Sequence, residues 1–459
     1  MIERYFPKKR LFLPGLFFCI IFGLHGCRSQ TPISVLLERF WDLRTLADGR
    51  IRVYNAAESP NLEAPDRLLP LRSGGALYTG LDLLAHSNFS LLQGRKFALL
   101  VNDTARNRRL EHMLDLLRRA GLQPELVLEP EHGLFGNLDV KGESGIRTDP
   151  KTGLRFLSLY SQEGFRPSAE QVRGIDLIVV DLLNLPVRCY TYITTLTLLM
   201  ETARENNMEL LILDRPNPYG LWEPQGSYLN KEYESFTSYA PVPFLYSQTL
   251  GEYALYMAAT RFTDLKVSVV PVLNYERGDA DAVLQQAWVN PSPNIPGLES
   301  ALVYAGLVFF EGSNFSLGRG TTRPFVYSGA PWLRNRQALR LLRLKKLPGV
   351  QLGEVVFTPT SSEYRGKICR GLQFSPYSLD FNPLRLGYEY MRIVRSLHPD
   401  RFVFRRSKAR PEKYFIDFIW GGPDYREAVE NNLSWEKFRS GWRKEARDFA
   451  RRIRPYRLY

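Results

Sequence analysis

The sequence predicts an α/β fold with a doubly wound parallel sheet in its N-terminal half, and two observations support this. Compact apolar runs that fit buried strands recur along the chain, at 97–101, 126–128, 177–180, 210–213 and 265–272. Between them lie stretches with helical spacing of apolar residues, at Leu110–Leu117, 191–205 and 249–260. Strands that alternate with helices favour a parallel sheet over an antiparallel one.

The first 26 residues have the pattern of a signal peptide. Four basic residues between positions 4 and 10 precede an apolar stretch over 11–24, which is too short to cross a bilayer comfortably. The stretch ends in Leu24-His25-Gly26-Cys27, which resembles a bacterial lipobox. We therefore expect export and a lipid on Cys27 that anchors the protein to a bacterial membrane, on its periplasmic or surface face. The alternative is an ordinary signal peptide that happens to carry a cysteine.

Residues 27–75, which contain Pro60, Pro65 and Pro70, are predicted to form an adapter or linker.

The formal net charge of +13 restricts the possible partners. Residues 401–459 alone contain 16 Lys and Arg against 8 Asp and Glu. No nucleic-acid recognition motif accompanies this charge, so no nucleic-acid partner is expected. Anionic lipid headgroups or an acidic cell-wall polymer fit an exported basic protein better, and a solvated face without a partner is the alternative. The sequence does not indicate an oligomeric state.

Several common site chemistries have no motif in this chain. After the signal peptide and Cys27, only Cys189 and Cys369 remain, and no Cys or His residues have metal-ligand spacing, so no metal is expected. The first strand exits into Asn102-Asp103-Thr104-Ala105, without the glycines of a dinucleotide-binding turn. Phosphate-loop and G-x-S-x-G motifs are also missing. A carboxylate-centred mechanism is what remains.

Polar residues follow four of the predicted strands. They are Asn102, the pair Glu131-His132, Asp181 and the pair Asp214-Arg215. In a parallel sheet of this kind ligands bind outside the carboxyl ends of the strands, so we expect these side chains to share one rim. Each one alone also fits a helix cap or a turn residue.

A series of short motifs runs through the chain and starts at Pro130-Glu131-His132-Gly133. It continues through 158–160 (SLY), 187–192 (VRCYTY), 214–218 (DRPNP), 291–296 (PSPNIP), 311–314 (EGSN), 318–321 (GRGT) and 329–332 (GAPW). Together these motifs resemble a known family, the exo-β-N-acetylmuramidases of the NamZ type, and the resemblance covers about 80–459.

The resemblance implies a fold and a reaction. A Rossmann-like domain over 76–287 would be followed by a C-terminal α+β domain over 288–459, with the site in the cleft between them. Members of the family release N-acetylmuramic acid (MurNAc) from the non-reducing ends of peptidoglycan fragments, without a metal or organic cofactor. The expected partners are therefore peptidoglycan fragments that contain MurNAc.

The resemblance also implies roles for residues. Glu131 is expected to be the general acid, and His132 to orient it or to bind substrate. A guanidinium group is expected to bind the lactyl carboxylate of MurNAc, and the sequence does not rank the four candidates, Arg188, Arg215, Arg319 and Arg323. Tyr190 and Tyr192 are candidates for stacking on the sugar, with the aromatic core as the alternative. Other expected polar contacts to substrate are Asn102, Asn184, Asp214, Asn217, Asn294 and Asn314.

The chain departs from the family pattern at three places. Where the family commonly reads D-I-Q-D-[VI]-G, residues 181–186 read DLLNLP, so that Leu183 replaces an amide and Asn184 a carboxylate. Tyr246 stands where His is usual, and Gln225 where Glu is usual. The sequence therefore leaves three functions open: an active exo-muramidase, a catalytically weakened paralogue that binds the wall or acts as a scaffold, and a hydrolase of another acidic sugar.

Overall fold

The structure is a computed structural model. It describes residues 54–55, 76–138, 141–219, 223–278, 283 and 286–459. The predicted signal peptide, Cys27 and all of the 27–75 adapter except residues 54–55 lie outside these ranges. Among the residues described, no helix is both long and apolar enough to cross a membrane.

In the described part of the chain, eight strands form the main sheet in the spatial order β1-β8-β7-β6-β2-β3-β5-β4. Their bounds are β1 (Tyr54–Asn55), β2 (Phe97–Val101), β3 (Leu126–Glu129), β4 (Ile146–Thr148), β5 (Arg155–Ser158), β6 (Leu177–Asp181), β7 (Glu209–Leu213) and β8 (Val267–Val270). The strands from β5 across to β8 pair in parallel, whereas β1 and β4 pair antiparallel at the two edges. The predicted α/β class is confirmed.

Helices alternate with these strands as the apolar pattern predicts. Their bounds are α1 (Gly80–His86), α2 (Met113–Arg119), α3 (Tyr192–Glu205) and α4 (Leu250–Thr260). The predicted start of α2 at Leu110 is wrong by three residues. Leu110 has a positive φ of 63° and His112 caps the helix, because its Nδ1 accepts a 3.2 Å hydrogen bond from the amide of Leu114.

The central strands are recognisable in the sequence because both faces of the sheet are covered. Every residue of β2 and of β6 is buried. A parallel strand between two layers of helices needs an unbroken run of apolar side chains rather than an alternating one. The short edge strand β4 and its neighbour β5 lack such a run, and the sequence did not predict them.

The C-terminal half is an α+β arrangement, as the resemblance implied. Three antiparallel strands lie in the order β10-β11-β9, with bounds β9 (Tyr327–Ala330), β10 (Val350–Phe357) and β11 (Cys369–Pro376). The helices of this half are α5 (Leu298–Leu307), α6 (Asn335–Arg343), α7 (Pro383–Leu397), α8 (Phe415–Trp420), α9 (Asp424–Glu430) and α10 (Trp435–Ile453).

Glycine allows α5 and α7 to touch backbone to backbone. A Cβ atom on Gly306 would lie 1.8 Å from the carbonyl oxygen of Pro383, and one on Gly387 would lie 1.8 Å from the carbonyl oxygen of Gly306. No side chain fits at such distances, so this crossing requires glycine at both positions. The crossing supports the segment that follows α5, which contributes to the site described below.

Buried polar contacts join the two halves. Arg188, which precedes α3, donates hydrogen bonds to the carbonyl oxygens of Val242 at 2.7 Å and of Trp420 in α8. Just after β7, a carboxylate oxygen of Asp214 accepts a 2.9 Å hydrogen bond from the hydroxyl of Tyr459. Because these groups are shielded from water, breaking the contacts would leave buried polar atoms unpaired. The halves are thereby held in a fixed relation.

Candidate active site

The loop that follows β3 carries the predicted acid, Glu131. Its Oε2 atom accepts a 2.5 Å hydrogen bond from the hydroxyl of Thr191, the residue that immediately precedes α3. The hydroxyl of Tyr192 lies 3.5 Å from the carbonyl oxygen of Glu131 and also donates to the carbonyl of Pro291. The Glu131 loop is therefore fixed to the start of α3 and to the segment that leads into the C-terminal half.

Tyr160 lies on the segment that neighbours the Glu131 loop. Strands β3 and β5 pair in parallel as far as Glu129 and Ser158, and the amide of Leu159 donates a 2.8 Å hydrogen bond to the carbonyl of Glu129. Tyr160 therefore leaves β5 beside the segment that carries Glu131. Burial, together with the negative charge of Glu131, raises the pKa of the Tyr160 phenol, which stays protonated at neutral pH.

His132 shapes the same loop. Its backbone is left-handed, with φ of 74°, and its Nδ1 lies 2.7 Å from the carbonyl oxygen of Leu138. A carbonyl oxygen can only accept, so Nδ1 is the protonated nitrogen in this contact. The backbone amide of Leu138 donates back to the carbonyl of His132 at 3.2 Å. His132 therefore closes the turn that presents Glu131.

Glu131 and His132 line a cavity of about 420 Å³ whose other walls come from the C-terminal half. Two ion pairs lie on those walls, Glu311 with Arg319 at 2.5 Å and Glu363 with Arg405. The remaining lining residues are mostly small or apolar: Ser313, Phe315, Leu317, Ser361, Ser362 and Phe415. The volume is within the range of small-molecule sites, and charged groups of both signs, three carboxylates and two guanidinium groups, line it. In the ranges described, no group of three or more His, Cys, Asp or Glu residues is arranged to hold a metal ion.

Tight packing places Glu311 and Arg405 on neighbouring segments. Glu311 lies in a 3₁₀ turn, Val308–Gly312, directly after α5. The amide of Arg405 donates a 2.8 Å hydrogen bond to the carbonyl of Gly312, and a Cβ atom on Gly312 would lie 2.5 Å from Cβ of Ile416. Only glycine permits this approach, which sets both side chains on the cavity wall.

Four of the residues predicted to bind substrate hold the interior together instead of lining this cavity. Asn102 donates to the hydroxyl of Tyr192 at 2.8 Å, and its side-chain oxygen accepts from the amide and the hydroxyl of Thr104. Tyr190 is buried edge-on against Tyr192, with ring centroids 4.9 Å apart. Arg188 is completely buried among carbonyl oxygens, and burial lowers its pKa to about 10. The aromatic-core alternative therefore describes both tyrosines.

The polar residues after β6 and β7 also bond to each other or to the chain. Arg215 forms a bidentate pair with Asp181, at 2.5 and 2.9 Å, and donates to the carbonyl of Arg106 at 3.0 Å. Asp214 accepts hydrogen bonds from the hydroxyl of Thr249 and the amide of Gly251 at the start of α4. Asn217 is buried, and its Oδ1 accepts a 2.8 Å hydrogen bond from the backbone amide of Tyr219. The predicted rim exists, but internal contacts occupy most of its side chains.

In the C-terminal half, Arg319 is the predicted residue that reaches the cavity. Asn314 uses its side chain to bond the backbone of residues 401 and 403, at 2.8 and 2.9 Å. Arg323 pairs with Glu299 and does not line the cavity. Asn294 is buried and also lies outside the cavity lining.

Comparisons with known proteins fit this arrangement. The family model for the N-terminal domain of the exo-β-N-acetylmuramidase NamZ matches residues 97–299, and the model for its C-terminal domain matches residues 302–459. The chain belongs to the NamZ family. The peptidoglycan β-N-acetylmuramidase NamZ of Bacillus subtilis is 31% identical over 383 residues, which are 83% of this chain and 91% of that protein. Membership of the family supports a muramidase-type function.

Two solved structures of DUF1343 family proteins from Bacteroides fragilis share the fold. One is 29% identical, with a TM-score of 0.74, and the match covers 83% of this chain and 99% of that one. The other is 27% identical, with a TM-score of 0.64, over 84% and 99% of the two chains.

Two departures from the NamZ pattern contact each other. The side-chain amide of Asn184 donates a 2.5 Å hydrogen bond to the hydroxyl of Tyr246, and both residues are buried. Burial raises the pKa of Tyr246 well above its usual range, so the phenol stays neutral. A neutral pair therefore occupies positions where the family pattern has a carboxylate and a histidine. Neither residue lines the 420 Å³ cavity.

Sequence reasoning missed several residues that the structure brings to Glu131 or to its cavity. Glu311, Thr191 and Tyr160 all lie inside the motifs that carry the resemblance, and that was the signal for them. Glu363 and Arg405 lie outside every motif, so only tertiary structure places them on the cavity wall.

Proposed function

We propose that this protein is an exo-β-N-acetylmuramidase that hydrolyses terminal non-reducing MurNAc from peptidoglycan fragments. The observation that carries the proposal is the Glu131 carboxyl, held by Thr191 at the wall of a polar cavity. Family membership supplies the reaction type, and the cavity supplies a place for one terminal sugar.

Glu131 would be the general acid. Hydrolysis of a glycoside needs a carboxylic acid that protonates the leaving oxygen and a second group that stabilises or attacks the cationic sugar. The hydroxyl of Thr191 fixes one oxygen of Glu131 at 2.5 Å. A fixed carboxyl group can transfer its proton without first reorganising, which is what general acid catalysis requires.

Glu311 would be the second carboxylate. It lines the same cavity, on the wall that the C-terminal half contributes, and is paired with Arg319. A negative charge at this position would stabilise the positive charge that develops on the sugar ring. Glu363 is a poorer candidate for this second carboxylate. It belongs to the more exposed of the two ion pairs, since the side chain of its partner Arg405 is 43% exposed, against 27% for Arg319.

The lactyl carboxylate of MurNAc would be bound by Arg319 or Arg405. They are the guanidinium groups on the described cavity wall, where each is paired with a carboxylate of the same wall, whereas Arg188 and Arg215 are bonded away from this cavity. A guanidinium can bind a carboxylate through two parallel hydrogen bonds. This contact would select MurNAc over N-acetylglucosamine (GlcNAc), which lacks the lactyl group.

The Asn184–Tyr246 pair favours a second candidate function, a catalytically weakened paralogue that binds wall fragments or acts as a scaffold. If the carboxylate of the family pattern takes part in catalysis, its replacement by Asn184 would lower the rate by roughly 10²–10⁴-fold. Incubation of purified 28–459 with a MurNAc-GlcNAc disaccharide separates the two candidates. Release of free MurNAc supports the enzyme, whereas binding by calorimetry without release supports the paralogue. A GlcNAc-GlcNAc disaccharide is the control for specificity.

We also propose that the protein is exported and anchored in the bacterial cell envelope by a lipid on Cys27. The basic start, the short apolar stretch and the lipobox-like end of the first 27 residues support this proposal. An envelope location would place the enzyme beside its polymer.

A further inference from the structure

Three aromatic rings lie beside the loop that carries Glu131. Tyr160 directly follows Leu159, whose amide donates a 2.8 Å hydrogen bond to the carbonyl of Glu129, two residues before Glu131. The ring centroid of Tyr160 lies 5.1 Å from that of Phe236, and the centroid of Phe236 lies 4.1 Å from that of Phe165. The interplanar angles are 29° and 17°, so the rings are close to parallel. We call these three residues the aromatic cluster.

The aromatic cluster is not part of the main hydrophobic core. All three residues are only half-buried, and none belongs to the large core cluster of the chain. Contiguous exposed apolar surface on a soluble protein often marks a binding site. The ammonium group of Lys141 lies 5.3 Å from the ring of Phe165, which adds three hydrogen-bond donors beside the rings.

The aromatic cluster borders a second cavity. That cavity has a volume of about 520 Å³, and its lining includes Phe165, Ser158 and Arg166. Glu131 thus lines the polar cavity of about 420 Å³, and the aromatic cluster begins at Tyr160, just after the neighbouring strand β5.

The position of a general acid restricts where the two sugars lie. Glu131 must reach the oxygen between the terminal sugar and the leaving sugar, so each sugar needs its own surface next to this carboxyl. The charged cavity contains Arg319 and Arg405, which are the groups proposed to bind the lactyl carboxylate of MurNAc. GlcNAc carries no charge, and the apolar C–H face of its ring matches an aromatic surface.

We propose that the aromatic cluster, with Lys141, is the subsite for the leaving sugar. A GlcNAc ring would lie against Phe236 and Tyr160, and the chain beyond it would continue towards the 520 Å³ cavity. This inference rests on the proposed function, because it assumes that Glu131 protonates the bond between the two sugars.

The test compares two substrates that share MurNAc but differ in leaving group. One is MurNAc-GlcNAc, and the other is the β-fluoride of MurNAc, which has no leaving sugar. Phe236→Ala should lower kcat/KM for the disaccharide by roughly 3- to 10-fold, the size of one lost aromatic contact, and leave the fluoride within about twofold of wild type. Phe236→Tyr, which keeps the ring, should restore the disaccharide rate. Tyr377→Ala, at a 68% exposed tyrosine away from the cluster, is the matched control.

Equal losses on both substrates, or no loss on either, would overturn the subsite. Failure of the proposed function looks different, because wild type would then hydrolyse neither substrate. In that case, calorimetry of MurNAc-GlcNAc binding decides the matter. Binding weakened by Phe236→Ala and restored by Phe236→Tyr upholds the subsite on a non-enzymatic protein, and unchanged binding overturns it.

Discussion

Replacement of Glu131 by Gln tests the proposed mechanism most directly. Gln is nearly isosteric, and its side-chain oxygen can still accept the 2.5 Å hydrogen bond from Thr191. We therefore expect the free energy of unfolding to change by less than about 0.5 kcal/mol, as for a substitution that removes no buried contact. An amide cannot donate a proton to the leaving oxygen. Loss of general acid catalysis should lower kcat for MurNAc-GlcNAc by roughly 10²–10⁴-fold, which corresponds to about 3–5 kcal/mol of transition-state stabilisation.

The dependence on the leaving group makes this prediction specific. A 4-nitrophenolate leaves without much help from an acid, so Glu131→Gln should lower the rate for 4-nitrophenyl MurNAc much less than that for the disaccharide. Release of MurNAc and of nitrophenolate can be measured on the same protein preparations. Glu363→Gln is the matched control, since it removes a carboxylate from the same cavity without removing the proposed acid. If Glu131→Gln and wild type hydrolyse both substrates at equal rates, Glu131 is not the acid.

Four further predictions concern other parts of the chain. Cys27→Ser should abolish fatty-acid labelling and release the protein from membranes, so that unchanged labelling would contradict the anchor. Intact glycan should be cut slowly, with free MurNAc as the only early product in chromatography; early internal fragments would indicate an endo enzyme. Since Asn184 and Tyr246 are in contact, Asn184→Asp and Tyr246→His should show a coupling energy of about 0.5–3 kcal/mol in a double-mutant cycle of urea unfolding, and additivity would mean that the pair is not a unit. Burial raises the pKa of Asp214 to about 6 in the folded protein, against about 3.9 in the unfolded chain. The folded state therefore holds this proton more tightly, and stability relative to Asp214→Asn should fall by roughly 1–3 kcal/mol as pH rises from 4 to 6; a flat difference would contradict the raised pKa.

The strands that the sequence predicted are those that are buried on both faces of the sheet. Strands β2, β6 and β7 appear as continuous apolar runs because helices cover both faces of the sheet. The start of α2 was mispredicted because Leu110 has the right spacing but a left-handed backbone, which apolar periodicity does not detect.

For the site, the motifs predicted Glu131 as the candidate acid but did not indicate which way the other side chains point. Arg188 and Arg319 both lie in motifs of the family, and the same carboxylate-binding role was predicted for both. Arg188 is fully buried among carbonyl oxygens, whereas Arg319 lines the cavity. The difference depends on contacts with residues more than fifty positions away, such as Trp420, and no local pattern contains that information.

The division of polar residues between the two halves explains why the proposed chemistry needs both of them. At the rim of the parallel sheet, Asn102, Asp181 and Asp214 all use their side chains to fix loops and helices. Glu131 differs because its loop projects towards the C-terminal half, where it lines a cavity with Glu311 and Arg319. A glycosidase needs a second group opposite its acid, and an anionic sugar needs a cation. In the described chain both come from segments after α5, so the C-terminal half supplies part of the proposed active site and is more than a support for the sheet.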